Sequence, residues 1–215
     1  MQAGIDRLLT LQHENDSAAV RMLEAAPRFE RMAQRHLNGT APKVITGFNL
    51  FQTPHIIAAQ MADIIKAEVE PGARILEPSV GLGRLVEPFQ EVEELRARWV
   101  MVENARECVR AVSQALKQAE IYERDFLDTT AQQLGGAFDA VVMNPPFKMG
   151  RDIKHIKHAF NMLKVGGVLV SLCYNGKRQN DQLKPLADTW EVLPDNSFKS
   201  EGTGASVAML TMRKG

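Results

Sequence analysis

Cysteine is nearly absent from this chain: among 215 residues only Cys108 and Cys173 carry a thiol, in unrelated contexts. That excludes a disulfide framework and a cysteine-rich zinc site. Long apolar runs are missing as well. The longest, over residues 168–173, is far too short to span a bilayer. Asp6 and Arg7 precede any apolar run, so no secretory leader is expected. Net charge is also lacking, since 26 Lys+Arg balance 26 Asp+Glu. There is no internal repeat and no low-complexity tract. These absences point to a soluble, reduced, cytoplasmic protein. What is present is ordinary for a globular domain: 45% hydrophobic and 24% charged residues exclude wholesale disorder. The length suits one domain with a short appendage.

The neutral total conceals a distribution. Residues 51–128 carry a net charge of −5, residues 129–215 carry +4, and residues 1–50 add +1. Within 144–184 the net charge reaches +6. Such a stretch is either a solvated helix face or a surface for a polyanion.

Periodicity divides the chain. Ile5, Leu8 and Leu9, then Val20, Met22 and Leu23, recur at helical spacing, so residues 1–45 read as a helical arm. Residues 46–215 read as the main domain, in which strand and helix patterns alternate. Thr53-Pro54 is expected to cap a helix carrying Ile57, Met61, Ile64 and Ile65. Short strands are expected at 74–76, 99–102, 121–122, 140–143 and 168–173, with a closing pair at 190–193 and 207–212. A helix should follow Gly83. Another should carry Ile153, Ile156 and Phe160, with Asp152 as its cap and Gly166-Gly167 as its stop. Alternation of this kind means an α/β protein with a mostly parallel sheet.

Two motifs carry chemistry. Glu77-Pro78-Ser79-Val80-Gly81-Leu82-Gly83 sits on a strand-to-helix turn, where glycines permit a tight bend and close approach of a ligand. Glu103 ends the next strand, 20 residues past Gly83, placed to accept hydrogen bonds from a ribose diol or simply to cap a helix. The third glycine of a dinucleotide loop and the Gly-Lys-Ser/Thr of a phosphate loop are both missing, which disfavours pyrophosphate.

The sharper motif is Asn144-Pro145-Pro146-Phe147, directly after the fourth strand. A residue before proline is pushed to extended geometry, so Asn144 and Pro145 should aim the Asn144 side chain and their carbonyls into the crevice beyond the strand. Two convergent acceptors suit an amino group with two N–H donors. They also stabilise the positive charge that develops as its nitrogen attacks. Phe147 offers a flat face to a planar base or amide. His155 and His158, three apart on the following helix, lack an acidic or cysteine partner nearby and read as a solvated face rather than metal ligands.

In these residues the chain resembles the class I S-adenosylmethionine-dependent methyltransferases, within the (N/D)PP(Y/F) amino-methyltransferases typified by DNA adenine-N6 enzymes. The resemblance covers about residues 48–213. It implies a Rossmann-like fold, with a seven-stranded, mostly parallel sheet whose last strand is antiparallel, plus the helical arm. It implies S-adenosylmethionine as cofactor. Phe51, Thr53 and Pro54 would lie against its methionine end, and Glu77, with Pro78, Ser79, Gly81 and Gly83, would bind the methionine ammonium. Glu103 and Asn104 would meet the ribose, and Asp125-Phe126 the adenine. Asn144, Pro145, Pro146 and Phe147 would be catalytic, and Phe198 would be a second base-stacking aromatic.

The motif order is that of γ-type adenine methyltransferases, and the size resembles stand-alone enzymes of phages and mobile elements. No target-recognition domain follows the last strand, so recognition is expected from the arm, loops, a partner protein or a second copy. Lys148, Arg151, Lys154 and Lys157 follow the catalytic motif and are expected to meet phosphates. The expected reaction is methylation of adenine N6 in DNA. RNA (adenine N6 or guanine N2), a protein glutamine amide, and a non-catalytic subunit keeping the fold are the alternatives.

Overall fold

The computed structural model describes residues 52–90 and 95–215. The expected arm over residues 1–45, and Phe51, lie outside the described residues. In chain order the elements are α1 (His55–Lys66), β1 (Arg74–Glu77), α2 (Glu87–Gln90), β2 (Arg98–Glu103), α3 (Arg106–Ala115) and β3 (Glu120–Glu123). There follow β4 (Phe138–Met143), α4 (Arg151–Asn161), β5 (Leu163–Tyr174), α5 (Lys177–Gln182), β6 (Thr189–Val192) and β7 (Val207–Arg213).

The strands form one seven-stranded sheet in the order β3-β2-β1-β4-β5-β7-β6. Strands β1 to β5 pair in parallel, and β7 is antiparallel to both β5 and β6. This is the expected Rossmann-like α/β arrangement. The chain runs outward from β1 to β3 and then returns to β4 on the other side of β1. Where strand order reverses in this way, the departing loops splay and open a crevice at the carboxyl ends.

A strand covered on both faces reads as an unbroken apolar run, and β4 shows the consequence. Ala140 and Val142 share a core layer with Ile57, Met61 and Ile65 of α1. Val141 and Met143 share the opposite layer with Ile153, Ile156 and Ala159 of α4. A smaller cluster of Val80, Val86, Met101 and Val112 lies under α3. Among the described residues no helix is long and apolar enough to cross a membrane.

Several local expectations are corrected. Thr53 does not cap α1: the N-cap is Pro54, without a side-chain hydrogen bond. The helix expected after Gly83 shrinks to the single turn α2. Gly81 and Gly83 stand at φ 54° and 86°, left-handed values that cannot start a right-handed helix. Asp152 does not cap α4, because Gly150 at φ 73° takes that position and Asp152 is wholly buried in the first turn. Its carboxylate accepts the Tyr174 backbone N–H at 3.1 Å and the Gln179 amide at 2.9 Å, tying α4 to the end of β5 and to α5. Gly166-Gly167 stops no helix either. Both lie inside β5, where the register with β4 shifts. A Cβ on Gly167 would sit 3.0–3.1 Å from three backbone carbonyl oxygens, so the irregular pairing needs glycine there.

Candidate active site

The carboxyl ends of β1, β2, β4 and β5 open into one cavity of about 600 Å³, within the size range of small-molecule sites. Strand β1 delivers Glu77, which is 1% exposed, and its carboxylate accepts the Ser79 N–H at 3.1 Å. Burial pushes the Glu77 carboxyl well above the ordinary glutamate range, and the nearby Glu103 charge adds to that rise. The Ser79 hydroxyl is buried with no partner among the described residues.

Strand β2 delivers Glu103, which acts as a bracket. One carboxylate oxygen accepts the Gly81 N–H at 2.9 Å. The other accepts the N–H groups of Asn104 and Ala105 at 2.9 and 2.8 Å, ahead of α3. The Gly81 loop and the α3 terminus are thereby joined through one side chain.

Asp125 and Phe126 follow β3. Asp125 accepts the Leu127 N–H at 3.0 Å and pairs with the Arg151 guanidinium at 2.7 Å. Partial burial works to raise its carboxyl, but the Arg151 and Leu127 hydrogen bonds outweigh it and hold the group below the usual range. Phe126 is 2% exposed and is packed by two histidine rings, His155 at 5.5 Å and His158 at 4.9 Å between centroids. His158 donates to the Thr129 carbonyl at 2.9 Å. His155 is buried with neither ring nitrogen hydrogen-bonded among the described residues. Burial, and then the Arg151 charge, push it down to about 4.

The expectation of a solvated histidine face is therefore wrong. The signal was present: Asp152, His155, Ile156 and Ala159 follow helical spacing, and that stripe faces the core. Among the described residues no group of three or more His, Cys, Asp or Glu stands together as a metal site.

Strand β4 delivers Asn144, whose side-chain amide donates to the Thr53 hydroxyl at 3.1 Å. Thr53 is 2% exposed. With the amide nitrogen engaged there, the amide oxygen is the end suited to accept from an amine. Phe147 is half-buried against the α1 side of the core.

Most residues expected from the sequence meet in this cavity. Thr53, Glu77, Pro78, Ser79, Gly81, Glu103 and Asn104 line one part of it. Asp125, Phe126, Asn144, Pro145, Pro146, Phe147, Lys148, Arg151 and Phe198 line the rest. Pro54, Gly83, Lys154 and Lys157 do not line it. Pro54 serves as the cap of α1, and Gly83 faces Val112 and Leu116. Lys154 and Lys157 are exposed on α4, where Lys157 reaches Gln182 at 3.4 Å. Phe198 is 1% exposed and packs in the core layer that contains α1 while also lining the cavity. Sequence reasoning missed His155, Tyr174, Arg124 and Thr203, which also line the cavity. Tyr174 could have been found by extending β5 one residue beyond its apolar run.

A family model described as methyltransferase small domain matches residues 61–199. The rRNA N(6)-adenosine-methyltransferase metl-5 of Caenorhabditis elegans is 26% identical over 152 residues, 66% of this chain and 70% of that protein. The structure of TrmN from Thermus thermophilus matches with a TM-score of 0.56 at 17% identity, over 74% of this chain and 48% of that one. The 16S rRNA N2 methyltransferase RsmC of Thermus thermophilus, solved with AdoMet and guanosine, matches with a TM-score of 0.57 at 19% identity. That match covers 81% of this chain and 46% of RsmC. The chain thus spans about half the length of both solved structures.

Proposed function

The chain belongs to the methyltransferase small domain family and is an S-adenosylmethionine-dependent methyltransferase, and on that premise we propose that it methylates an exocyclic amine of a nucleobase, adenine N6 first. The observation that carries this reading is Asn144, held by Thr53 at the mouth of β4 in the same cavity as Glu77, Glu103 and Asp125.

The residues present fit the cofactor. Glu77 is a buried carboxylate whose one hydrogen-bond donor among the described residues is the Ser79 N–H. A buried acid in that state is expensive to ionise, and an ammonium group beside it is what would keep it charged. Glu77 would therefore take the methionine ammonium, with the Ser79 hydroxyl available to the same end. Glu103 would accept from the ribose hydroxyls while continuing to hold Gly81. Asp125 would accept from the adenine amine, and Phe126, braced by His155 and His158, would form a wall for its ring. When bound, S-adenosylmethionine supplies a methyl group already activated on a sulfonium.

This chain's own task is to orient the acceptor. The Asn144 amide oxygen and the Pro145 carbonyl would accept the two amine hydrogens, drawing the nitrogen lone pair out of conjugation and stabilising its developing positive charge. Phe147 would stack on the base after it leaves the helix. The arm over residues 1–45, a partner protein or a second copy would supply target recognition, and Lys148, Arg151, Lys154 and Lys157 would meet phosphates.

DNA is the first reading, from the γ-type motif order. RNA is the second, favoured by the rRNA adenosine activity named for the Caenorhabditis elegans relative. Labelled methyl transfer to DNA, RNA and protein pools, followed by identification of the methylated nucleoside or amino acid, separates them. Deoxyribosyl N6-methyladenine supports the first reading and ribosyl N6-methyladenine or N2-methylguanine the second. Methylglutamine, or cofactor binding without transfer to any pool, overturns both.

A further inference from the structure

Between the catalytic motif and α4 the chain makes a turn that packing does not explain. Met149 stands at φ 58°, ψ 23°, a left-handed conformation that a residue with a side chain rarely adopts, and Gly150 follows at φ 73°. Strain of this kind persists only where the surroundings enforce it. The turn is closed by the Gly150 N–H donating to the Phe147 carbonyl at 3.2 Å, and the exposed Arg178 of α5 lies over it. Its guanidinium donates to the Met149 carbonyl at 3.5 Å and lies so close over Gly150 that a Cβ there would sit 2.9 Å from Nη1.

The outcome is a side chain that contributes nothing to the core: Met149 is 84% exposed, the most exposed large apolar residue among those described. Its neighbour Lys148 on one side and Arg151 two residues on line the cavity, whereas Met149 itself does not. It therefore stands on the rim, with Lys148, Arg151, Lys154 and Arg178 supplying positive charge in the same stretch of surface. A lone exposed apolar side chain is common and needs no explanation. One held in a left-handed conformation at the lip of the proposed base-binding site does.

We propose that Met149 is a wedge that enters the base stack of a paired nucleic acid and occupies the place left by the extruded target nucleotide. The inference rests on the nucleobase reading above. Unbranched, polarisable and apolar, methionine fills an irregular gap between bases, and apolar wedges at base steps commonly accompany unstacking. The flanking cations hold the phosphates on either side while the thioether replaces the lost stacking.

The test compares wild type with Met149→Ala, Met149→Gly and Met149→Leu on three oligonucleotides of one sequence: single-stranded, fully paired, and paired with an abasic site opposite the target. Met149→Ala should lose about tenfold or more in kcat/KM on the paired substrate, change less than about twofold on the single strand, and recover opposite the abasic site. Met149→Leu should retain most of the paired activity. Met149→Gly relieves the backbone strain and cannot fail through misfolding at this turn, so it should be as slow as Met149→Ala on paired substrate. Equal losses on paired and single strands, or full paired activity in the glycine variant, would overturn the wedge. So would a wild-type enzyme active only on single strands, which leaves the nucleobase reading intact. Absence of wild-type transfer to any oligonucleotide would instead sink that reading.

Discussion

Asn144 and Thr53, 91 residues apart in sequence, are joined by a hydrogen bond of 3.1 Å from side-chain amide to hydroxyl. The bond ties the end of β4 to the segment just before α1. Replacing Thr53 by Val keeps the shape and removes the hydroxyl. A single hydrogen bond of this kind contributes roughly 1 kcal/mol, so kcat should fall about fivefold while cofactor affinity changes little. Thr53→Ser should restore the rate. Steady-state kinetics with calorimetric cofactor binding checks both. Asn144→Ala should bind cofactor normally and lose transfer almost entirely, and normal turnover in that variant would contradict its assigned role.

As the proposed ammonium site, Glu77 should couple cofactor binding to stability. Its folded pKa is raised by burial, so the folded chain holds a proton that the unfolded chain has already released. Cofactor-free stability should therefore fall as pH rises above the ordinary glutamate value of 4.5 and through the folded value. Glu77→Gln removes that penalty. Its cofactor-free melting temperature at neutral pH should rise by about 3 °C or more, and the stabilisation conferred by S-adenosylmethionine should disappear. Thermal melts with and without cofactor read both effects. A variant still stabilised as strongly as wild type would remove Glu77 from the ammonium site.

His155 gives a pH dependence of its own. Its folded pKa is lowered from 6.5 to about 4, so the folded state resists a proton that the unfolded state accepts. The stability contribution is complete above pH 6.5 and declines as pH falls towards 4. The loss is on the order of 2 kcal/mol by pH 5. His155→Phe keeps an aromatic ring against Phe126 and has no group to titrate. The stability difference between variant and wild type, from denaturant melts at pH 7 and pH 5, should widen in the variant's favour at the lower pH. A constant difference would show that His155 titrates alike in the folded and unfolded states, as a solvated ring does.

Lys154 and Lys157 lie outside the cavity on the exposed side of α4. If they neutralise phosphates, replacing both by Ala should weaken nucleic-acid binding and flatten the dependence of log K on log salt by about 1 to 2. Binding titrations at several salt concentrations measure this directly. Unchanged affinity and slope would leave the pair as a solvated helix face.

Much of this architecture is written in local patterns. The unbroken apolar runs of β4 and β5, the stripe of Ile57, Met61 and Ile65, and the glycines at 81 and 83 each act within a few residues, where backbone period and turn geometry decide the outcome. The clustering of Glu77, Glu103, Asp125 and Asn144 was legible for a related reason. In a parallel sheet every strand end points to one edge, so acids and amides that terminate strands must gather there.

The sequence by itself thus determined the alternating α/β chain, the strand ends that meet at the cavity, and the place of the Asn144–Phe147 tetrapeptide. Only the tertiary structure decided that Thr53 serves Asn144 instead of α1, that Asp152 is a buried tie between α4, β5 and α5, and that Arg151 pairs with Asp125. It alone placed His155 behind Phe126 and left Met149 on the rim. A periodic pattern says which face of a segment is apolar, but a polar side chain takes its partner from whatever another segment brings within about 3 Å. That meeting depends on register and crossing between segments tens of residues apart, which no local period encodes.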